Sequence, residues 1–305
     1  MTARLRPWHL MVLALLVCGA VLGVVRWRFQ QRSFSAATLV ECLPPDQAIH
    51  VYLNVASLRD SGLLDLLAGS KAAEEPDYKR FVGLTGFDYR GDLDEVAAAF
   101  IRGSVYMAIR GRFDWKKLNA YAESQGGACR NTICEMPASE AGRHISFYPI
   151  RSNVLALAVS LEQRGVNMIG PEQWSNPPRL PPEPVWISAP SFVFADVKDL
   201  PEGTHAFLSP LASAQKATFA IGPDGNQLRI RAEVLCNSAA DAASLAAQLT
   251  RSTELLNKML ARDQMTPNPR DLSSVLGGGK FEQQDNRVLG AWPMDRRFVE
   301  AVAGQ

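Results

Sequence analysis

Short runs of alternating apolar and polar residues recur along the chain between turn residues, a pattern typical of β-hairpins. In the first half, the predicted strands cover residues 49–55, 96–102, 105–110, 144–150 and 154–159. In the second half, they cover residues 192–197, 217–221, 228–235, 280–284 and 287–292. Hairpins that follow one another in this way favour antiparallel sheets over a parallel α/β arrangement.

Apolar residues at helical spacing predict helices between these hairpins. Asp114 is a suitable N-cap for a helix over residues 115–124, and Ser238 for a long alanine-rich helix over residues 239–261. Further helices are predicted over residues 57–67, 161–169 and 294–303.

The two halves of the chain repeat the same order of elements, which indicates an internal duplication. We therefore predict an α+β fold in which one transmembrane helix is followed by two similar antiparallel sheet-plus-helix units, over residues 43–170 and 185–305. Residues 171–184 contain six prolines and are predicted to form an extended linker between the units. A docking site for a proline-reading domain is the alternative interpretation of this stretch.

The first 42 residues have a different pattern. Residues 8–25 contain no Asp, Glu, Lys or Arg, and a helix of these 18 residues would span about 27 Å, close to the thickness of a bilayer core. We expect a transmembrane anchor here, with a short cytoplasmic tail over residues 1–7 and a juxtamembrane linker over residues 26–42. A cleaved signal peptide is the alternative, although Arg26 and Arg28 stand where a small-residue cleavage site is expected.

The formal net charge of +1 conceals an uneven distribution. Residues 1–40 contain five arginines and no acid, whereas the chain from Glu41 onward has 27 basic and 31 acidic side chains, a net charge of −4. A mildly acidic body argues against a nucleic-acid partner. The expected partners are the membrane, through residues 8–25, and a protein of the cell envelope. Because long domains translocate largely regardless of charge, we expect the body on the periplasmic or outer side of the inner membrane.

Two of the five cysteines, Cys129 and Cys134, lie on either side of a predicted turn. Their spacing brings the two β-carbons within bridging range in a tight turn, so we predict a disulfide in an oxidising compartment. The alternative is a pair of small, half-buried apolar side chains. A metal site would need further ligands at matching spacing. The sequence does not decide whether Cys42 and Cys236 form a second bridge.

Other candidate motifs lack the residues that their chemistry needs. Ser213 and Lys216 have the Ser-x-x-Lys spacing of penicillin-binding enzymes, but the companion motifs do not occur in the chain. Residues 277–280 read Gly-Gly-Gly-Lys, yet Phe281 replaces the hydroxyl residue of a phosphate-binding loop.

Isolated ionisable residues do not define a site either. The four histidines are scattered along the chain: His9, His50, His144 and His205. Four acidic residues lie just before the second predicted strand: Asp88, Asp92, Asp94 and Glu95. They are compatible with a calcium site, but side chains that form the turn and begin the strand explain them better. We assign no catalytic, cofactor-binding or metal-binding residue. This favours a protein that is not an enzyme and leaves catalytic activity as an open alternative.

The stretch Leu43-Pro44-Pro45-Asp46, followed by the strand over residues 49–55, resembles uncharacterised bacterial single-pass membrane proteins with a duplicated extracytoplasmic α/β body. That resemblance implies a bacterial envelope setting and no known activity. The layout is also similar to inner-membrane accessory subunits of pilus and secretion machines. The expected function is that of a membrane-anchored extracytoplasmic binding or scaffold protein. An envelope hydrolase with a non-contiguous site and an accessory subunit of a pilus or secretion assembly are the alternatives.

Overall fold

The computed structural model describes residues 35–45, 47–68, 75–171, 173–174, 179–195, 202–225 and 227–303. The predicted anchor over residues 8–25, and the tail before it, lie outside the described residues. Within these ranges, no helix is both long and apolar enough to cross a bilayer.

The strands form one antiparallel sheet of twelve strands, in the order β11-β12-β10-β9-β8-β1-β2-β3-β7-β6-β5-β4. In the first half of the chain, the strands are β1 (Ile49–Asn54), β2 (Leu93–Ile101), β3 (Ser104–Gly111), β4 (Ala128–Arg130), β5 (Ile133–Pro137), β6 (His144–Arg151) and β7 (Val154–Ser160). In the second half, they are β8 (Val185–Pro190), β9 (Lys216–Asp224), β10 (Gln227–Leu235), β11 (Lys280–Gln284) and β12 (Arg287–Met294).

The helices lie between the hairpins and against the two faces of the sheet. The helices of the first half are α1 (Ala36–Glu41), α2 (Val55–Asp60), α3 (Leu63–Ala68), α4 (Pro76–Thr85), α5 (Tyr89–Asp92) and α6 (Trp115–Ser124). Those of the second half are α7 (Glu202–Leu208), α8 (Ala239–Arg262), α9 (Leu272–Leu276) and α10 (Arg296–Ala303).

Local sequence signals explain where many of these elements begin and turn. The side chain of Asp114 accepts a hydrogen bond from Lys117 N at 3.1 Å and caps α6, and Ser238 caps α8 in the same way. Arg102 and Gly103 join β2 to β3 with φ angles of 47° and 78°, the left-handed conformation that a tight hairpin needs. The predictions of α6, of α8 and of this hairpin are thus confirmed.

The predicted fold of two sheet-plus-helix units is wrong, because both halves contribute to one sheet. The strand expected over residues 192–197 is absent from its described part, where Ser191–Phe194 forms a 3₁₀ helix. The preceding segment, β8, is the strand instead, and it pairs with β1 on one side and β9 on the other. Unpaired main-chain groups at two sheet edges are satisfied when the edges join, which explains the single sheet.

Two predicted helices differ from the structure for local reasons. The helix expected over residues 57–67 is divided into α2 and α3 at Gly62, whose φ of 69° lies outside the range of a right-handed helix. The helix expected over residues 161–169 is reduced to the 3₁₀ turn Gly165–Met168.

The first face of the sheet, defined by His50, Tyr52, Ala97 and Trp186, carries the central core. Small alanines from β2, β3 and β7 allow close packing of this face against α1, whose Leu39 and Val40 are 0% and 1% exposed.

The second face, defined by Val51, Ile187, Phe219 and Ala232, is covered at its two ends. Helices α4 and α6 cover β5 to β7 at one end, and α7, α8 and α9 cover β9 to β12 at the other. The middle is only partly covered, since Phe100 is 42% exposed and Ile187 is 41% exposed.

Contacts between the halves do not end at the sheet. Leu63 and Leu64 of α3 share a buried cluster with Met294 and with Val299 of the C-terminal helix α10. Helix α3, near the start of the described chain, and helix α10, at its end, therefore stabilise the same core.

A buried ion pair lies at the start of β2 and the end of β3. Glu95, 5% exposed, pairs with Arg110 directly opposite it in the register. Burial raises the pKa of the Glu95 carboxyl, and the Arg110 guanidinium opposes that rise. A hydrogen bond from Tyr52 also opposes the rise, so the buried carboxylate depends on its cation and on this hydrogen bond.

We expect Arg110→Met to lower the free energy of unfolding by about 3–5 kcal/mol, because it leaves the buried Glu95 carboxylate uncompensated. Chemical denaturation measures the loss. The matched control is Arg112→Met, which removes an arginine that is 65% exposed and should cost about 0–1 kcal/mol. The double variant with Glu95→Gln should recover most of the stability, and equal losses in the two single variants would contradict this account.

Candidate functional site: an apolar cavity

The candidate site lies on the second face, above β10 and β12. Ala232 and Gly290 are directly opposite each other in the register of these strands. Around them stand larger pairs: Ile230 opposite Trp292 on one side and Val234 opposite Val288 on the other. The two smallest side chains therefore form the centre of the floor and leave space above it.

Helices close this space from above. Leu249 of α8, Phe207 and Leu208 of α7, and Val275 and Leu276 of α9 line the roof. The cavity has a volume of about 160 Å³ and an almost entirely apolar lining. Leu272 also lines it and is 36% exposed, so the cavity reaches the surface beside α9.

The ring of Trp292 forms one wall, and two glycines make room for it. A Cβ atom at Gly279 would lie 2.7 Å from Trp292 Nε1, and one at Gly290 would lie 3.0 Å from the far edge of the same ring. Phe281 packs edge-on against the ring, with centroids 5.2 Å apart. The wall is thus held in place by aromatic packing and close backbone approach.

An apolar cavity of this size has a defined physical behaviour. An engineered apolar cavity of about 150 Å³ stays dry and binds benzene or xenon. An unfilled volume of this size destabilises a protein by roughly 4 kcal/mol at about 24 cal/mol per Å³. A ligand that fills it recovers lost dispersion contacts without breaking hydrogen bonds to water.

The predicted disulfide between Cys129 and Cys134 is present. The two cysteines are opposite each other in the β4–β5 hairpin, and Asn131 and Thr132 form its turn with φ angles of 49° and 72°. The bridge lies in the first half of the chain, in the cluster under α6, and does not line the cavity.

The remaining described cysteines are free thiols in separate cores. Cys42 belongs to the cluster under α1, and Cys236 to the cluster under α8, so the second bridge left open by the sequence does not form. Burial raises the pKa of Cys42 to about 11 and also raises that of Cys236. Both thiols are therefore protonated and unreactive at neutral pH.

His50 is a buried core histidine of β1, 3% exposed. Its Nε2 donates a hydrogen bond of 2.9 Å to the carbonyl of Pro44, which fixes the neutral tautomer because a carbonyl only accepts. Burial lowers the pKa of His50; the hydrogen bond to Pro44 opposes this effect and the charge of Lys216 adds to it. His144 lies in β6, and His205 in α7.

The Ser-x-x-Lys pair does not share a helical face. Ser213 ends a 3₁₀ turn and donates to the carbonyl of Pro210, whereas Lys216 begins β9. The glycines of residues 277–279 end α9 and approach other side chains closely, Gly277 at Asn257 and Gly279 at Trp292. They have a packing role beside the cavity rather than a phosphate-binding role.

The acidic cluster serves the turn before β2. Asp88 accepts hydrogen bonds from Arg90 N and from the hydroxyl of Tyr78, and Asp92 pairs with Arg112. In the part of the chain that the structure describes, no group of three or more potential ligands is placed to hold a metal ion.

Sequence reasoning missed the cavity because its floor depends on strand register. The signal present in the chain was the alternation of residues 230, 232 and 234 and of residues 288, 290 and 292, with a small residue in the middle of each set. Only the pairing of the two strands places these small residues together.

Comparisons with known proteins do not show a family. No protein-family model matches the chain, and no curated protein matches it. Solved structures of TP0453 are similar in outline. Crystal form I is 13% identical and covers 87% of this chain and 95% of that chain, with a TM-score of 0.49. Crystal form III is 12% identical and covers 88% and 98%, also with a TM-score of 0.49. At this level the likeness carries no functional argument.

We expect the double variant Cys129→Ser/Cys134→Ser to have a free energy of unfolding about 2 kcal/mol below that of the wild type. The bridge closes a loop with a sequence separation of five, and without it the unfolded chain regains the conformational entropy that this closure removes. Urea denaturation measures the loss. Dithiothreitol should lower the wild-type midpoint to that of the variant and leave the variant unchanged. A variant as stable as the oxidised wild type would show that the bridge does not stabilise the fold.

We expect the protein to lose stability as the pH falls below about 6.5, the ordinary pKa of histidine. Because the pKa of His50 is lowered in the folded state, the unfolded chain binds more protons in this range and is favoured by acid. Thermal unfolding at pH 7.5 and 5.5 measures the effect. The loss should be smaller in His50→Gln and unchanged in the control His144→Gln; an equal loss in all three proteins would contradict the role of His50.

Proposed function

We propose that this protein is an extracytoplasmic binding protein of the bacterial cell envelope whose ligand is a small apolar molecule. The single observation that carries the proposal is the cavity of about 160 Å³ between α8, α9 and the strands β10 and β12. Ligand sites are concave, largely preformed and mostly apolar, and this cavity has all three properties.

The chemistry of the lining supports one ligand class. Aliphatic and aromatic side chains surround the cavity, with Thr204 as the sole polar side chain among the described residues that line it. Such a lining favours a hydrocarbon group of about the size of benzene, either a whole molecule or the end of a longer chain. The opening beside Leu272 gives a route of entry and room for a polar group outside.

The disulfide supports the extracytoplasmic location. Bridges persist in oxidising compartments and are rare in the cytosol, where thiols are kept reduced. Cys129 and Cys134 are bridged, while Cys42 and Cys236, which lie in separate cores, are free thiols. Attachment to the membrane through residues 8–25 is the part of the proposal that depends on the sequence alone.

The proposal is tested by thermal unfolding of the protein with and without benzene. Benzene at about ten times its Kd should add about 1.4 kcal/mol of stability. Ala232→Leu places a larger side chain at the centre of the floor, so it should remove this stabilisation. If that variant does not fold, Val288→Leu offers a smaller reduction of the same cavity and should weaken binding.

The matched control is Ala243→Leu, which makes the same change on the exposed side of α8. It should bind benzene as the wild type does, and ¹²⁹Xe chemical shifts should separate the variants in the same order. Full benzene stabilisation in a folded Ala232→Leu protein would overturn the proposed site.

A further inference from the structure

A second, polar pocket lies on the first face of the sheet, where β1, β8 and β9 are adjacent. His50 is opposite Ser188 in the register, and Ser188 is opposite Thr218, so these side chains form its floor. Trp174 and Arg179, from the segment before β8, line it from the side. The pocket has a volume of about 30 Å³.

The pocket contains more hydrogen-bond donors than the described residues use. Trp186 is 3% exposed, and its indole N–H is buried without a hydrogen-bond partner in the described chain. The hydroxyls of Ser188 and Thr218 share one hydrogen bond of 2.7 Å, so one of their two hydrogens remains for a third group. A buried donor without an acceptor destabilises a protein, and such groups indicate an occupant.

The charges in the pocket have one sign. Lys216 and Arg179 both line it, and the described lining residues include no carboxylate. Neither cation has an ion-pair partner among the described residues. Burial lowers the pKa of Lys216, as expected for a half-buried ammonium without an adjacent anion.

We propose that this pocket binds the carboxylate group of a small organic molecule. One water-sized position needs roughly 10–15 Å³, so the volume holds two or three oxygen atoms, which matches a carboxylate better than a phosphate. The Lys216 ammonium, the free hydroxyl hydrogen and the Trp186 indole N–H donate to those oxygens. The site lies on the face opposite the apolar cavity and does not depend on the function proposed for that cavity.

The test is an NMR titration of the full chain with sodium acetate, against sodium chloride at equal ionic strength. The indole N–H resonance of Trp186, assigned by its loss in Trp186→Phe, should shift with acetate and not with chloride. Lys216→Met should weaken acetate binding by at least about tenfold, since it removes a charge-assisted hydrogen bond. Lys216→Arg should restore part of the affinity.

The matched control is Lys280→Met, which removes an exposed lysine from β11 and should leave acetate binding unchanged. The double variant Ser188→Ala/Thr218→Val provides a second, uncharged probe, expected to weaken binding by about threefold because it removes both hydroxyls of the pair and with them the free hydroxyl hydrogen. The other tryptophan indole resonances report whether each variant is folded. An unchanged acetate affinity in folded Lys216→Met, or tighter binding of phosphate than of acetate, would overturn the proposal.

Discussion

The main-chain pairing of β1 with β8 is the interaction on which the rest of the structure depends. Residues 50–53 of one strand pair with residues 185–188 of the other and join a group of seven strands to a group of five. Each group alone would expose an edge of unpaired N–H and C=O groups beside an apolar core. Their union satisfies those groups and leaves β4 and β11 as the edges of the sheet.

That junction also decides where the two pockets lie. On the first face, α1 and Trp174 pack over the junction, and Trp174 Nε1 donates to the carbonyls of Val40 and Leu43 at 3.1 and 3.0 Å. The segment before β8 is thereby held beside His50 and Lys216, where it encloses the polar pocket. On the second face, α2 and α3 pack beside Leu53 of β1 and Val185 of β8, and other helices cover the outer strands at the two ends. The apolar cavity lies beneath the cover at the β10–β12 end.

An unfilled cavity of this size lowers the free energy of unfolding by a large fraction of its usual value. The destabilisation of roughly 4 kcal/mol compares with a total stability of about 5–15 kcal/mol for a typical protein. One larger side chain at position 232 or 290 would reduce it, although Gly290 is limited by the ring of Trp292. A feature that lowers stability and has a simple remedy within the same strands is more readily explained by ligand binding than by packing.

Local elements were predictable where the chemistry is local. The cap at Asp114, the β2–β3 hairpin, and the alternation within β9 and β10 each depend on a few neighbouring residues. The turn of that hairpin lies at Arg102 and Gly103, one residue before the gap between the predicted strands. The Cys129–Cys134 bridge belongs to the same group, because its two strands are joined by a two-residue turn. The strand β8 was missed since the apolar residues 192–194 that follow it are equally suited to a strand by composition.

The order of elements in the two halves suggested two separate units. This prediction was wrong because the edge strands of the two halves, β1 and β8, pair with each other. The local pattern of residues 49–54 and 185–190 predicts strands but does not indicate which strands are neighbours in the sheet. The amino-acid sequence by itself determined the hairpins β2–β3, β6–β7, β9–β10 and β11–β12, the capped helices α6 and α8, and the disulfide, since turn geometry and periodicity act over short distances along the chain. Only the tertiary structure decided that there is one sheet, with an apolar cavity on one face and a cationic pocket on the other. Both features depend on strand register, which brings together residues that are far apart in sequence, such as Ala232 with Gly290 and Ser188 with Thr218.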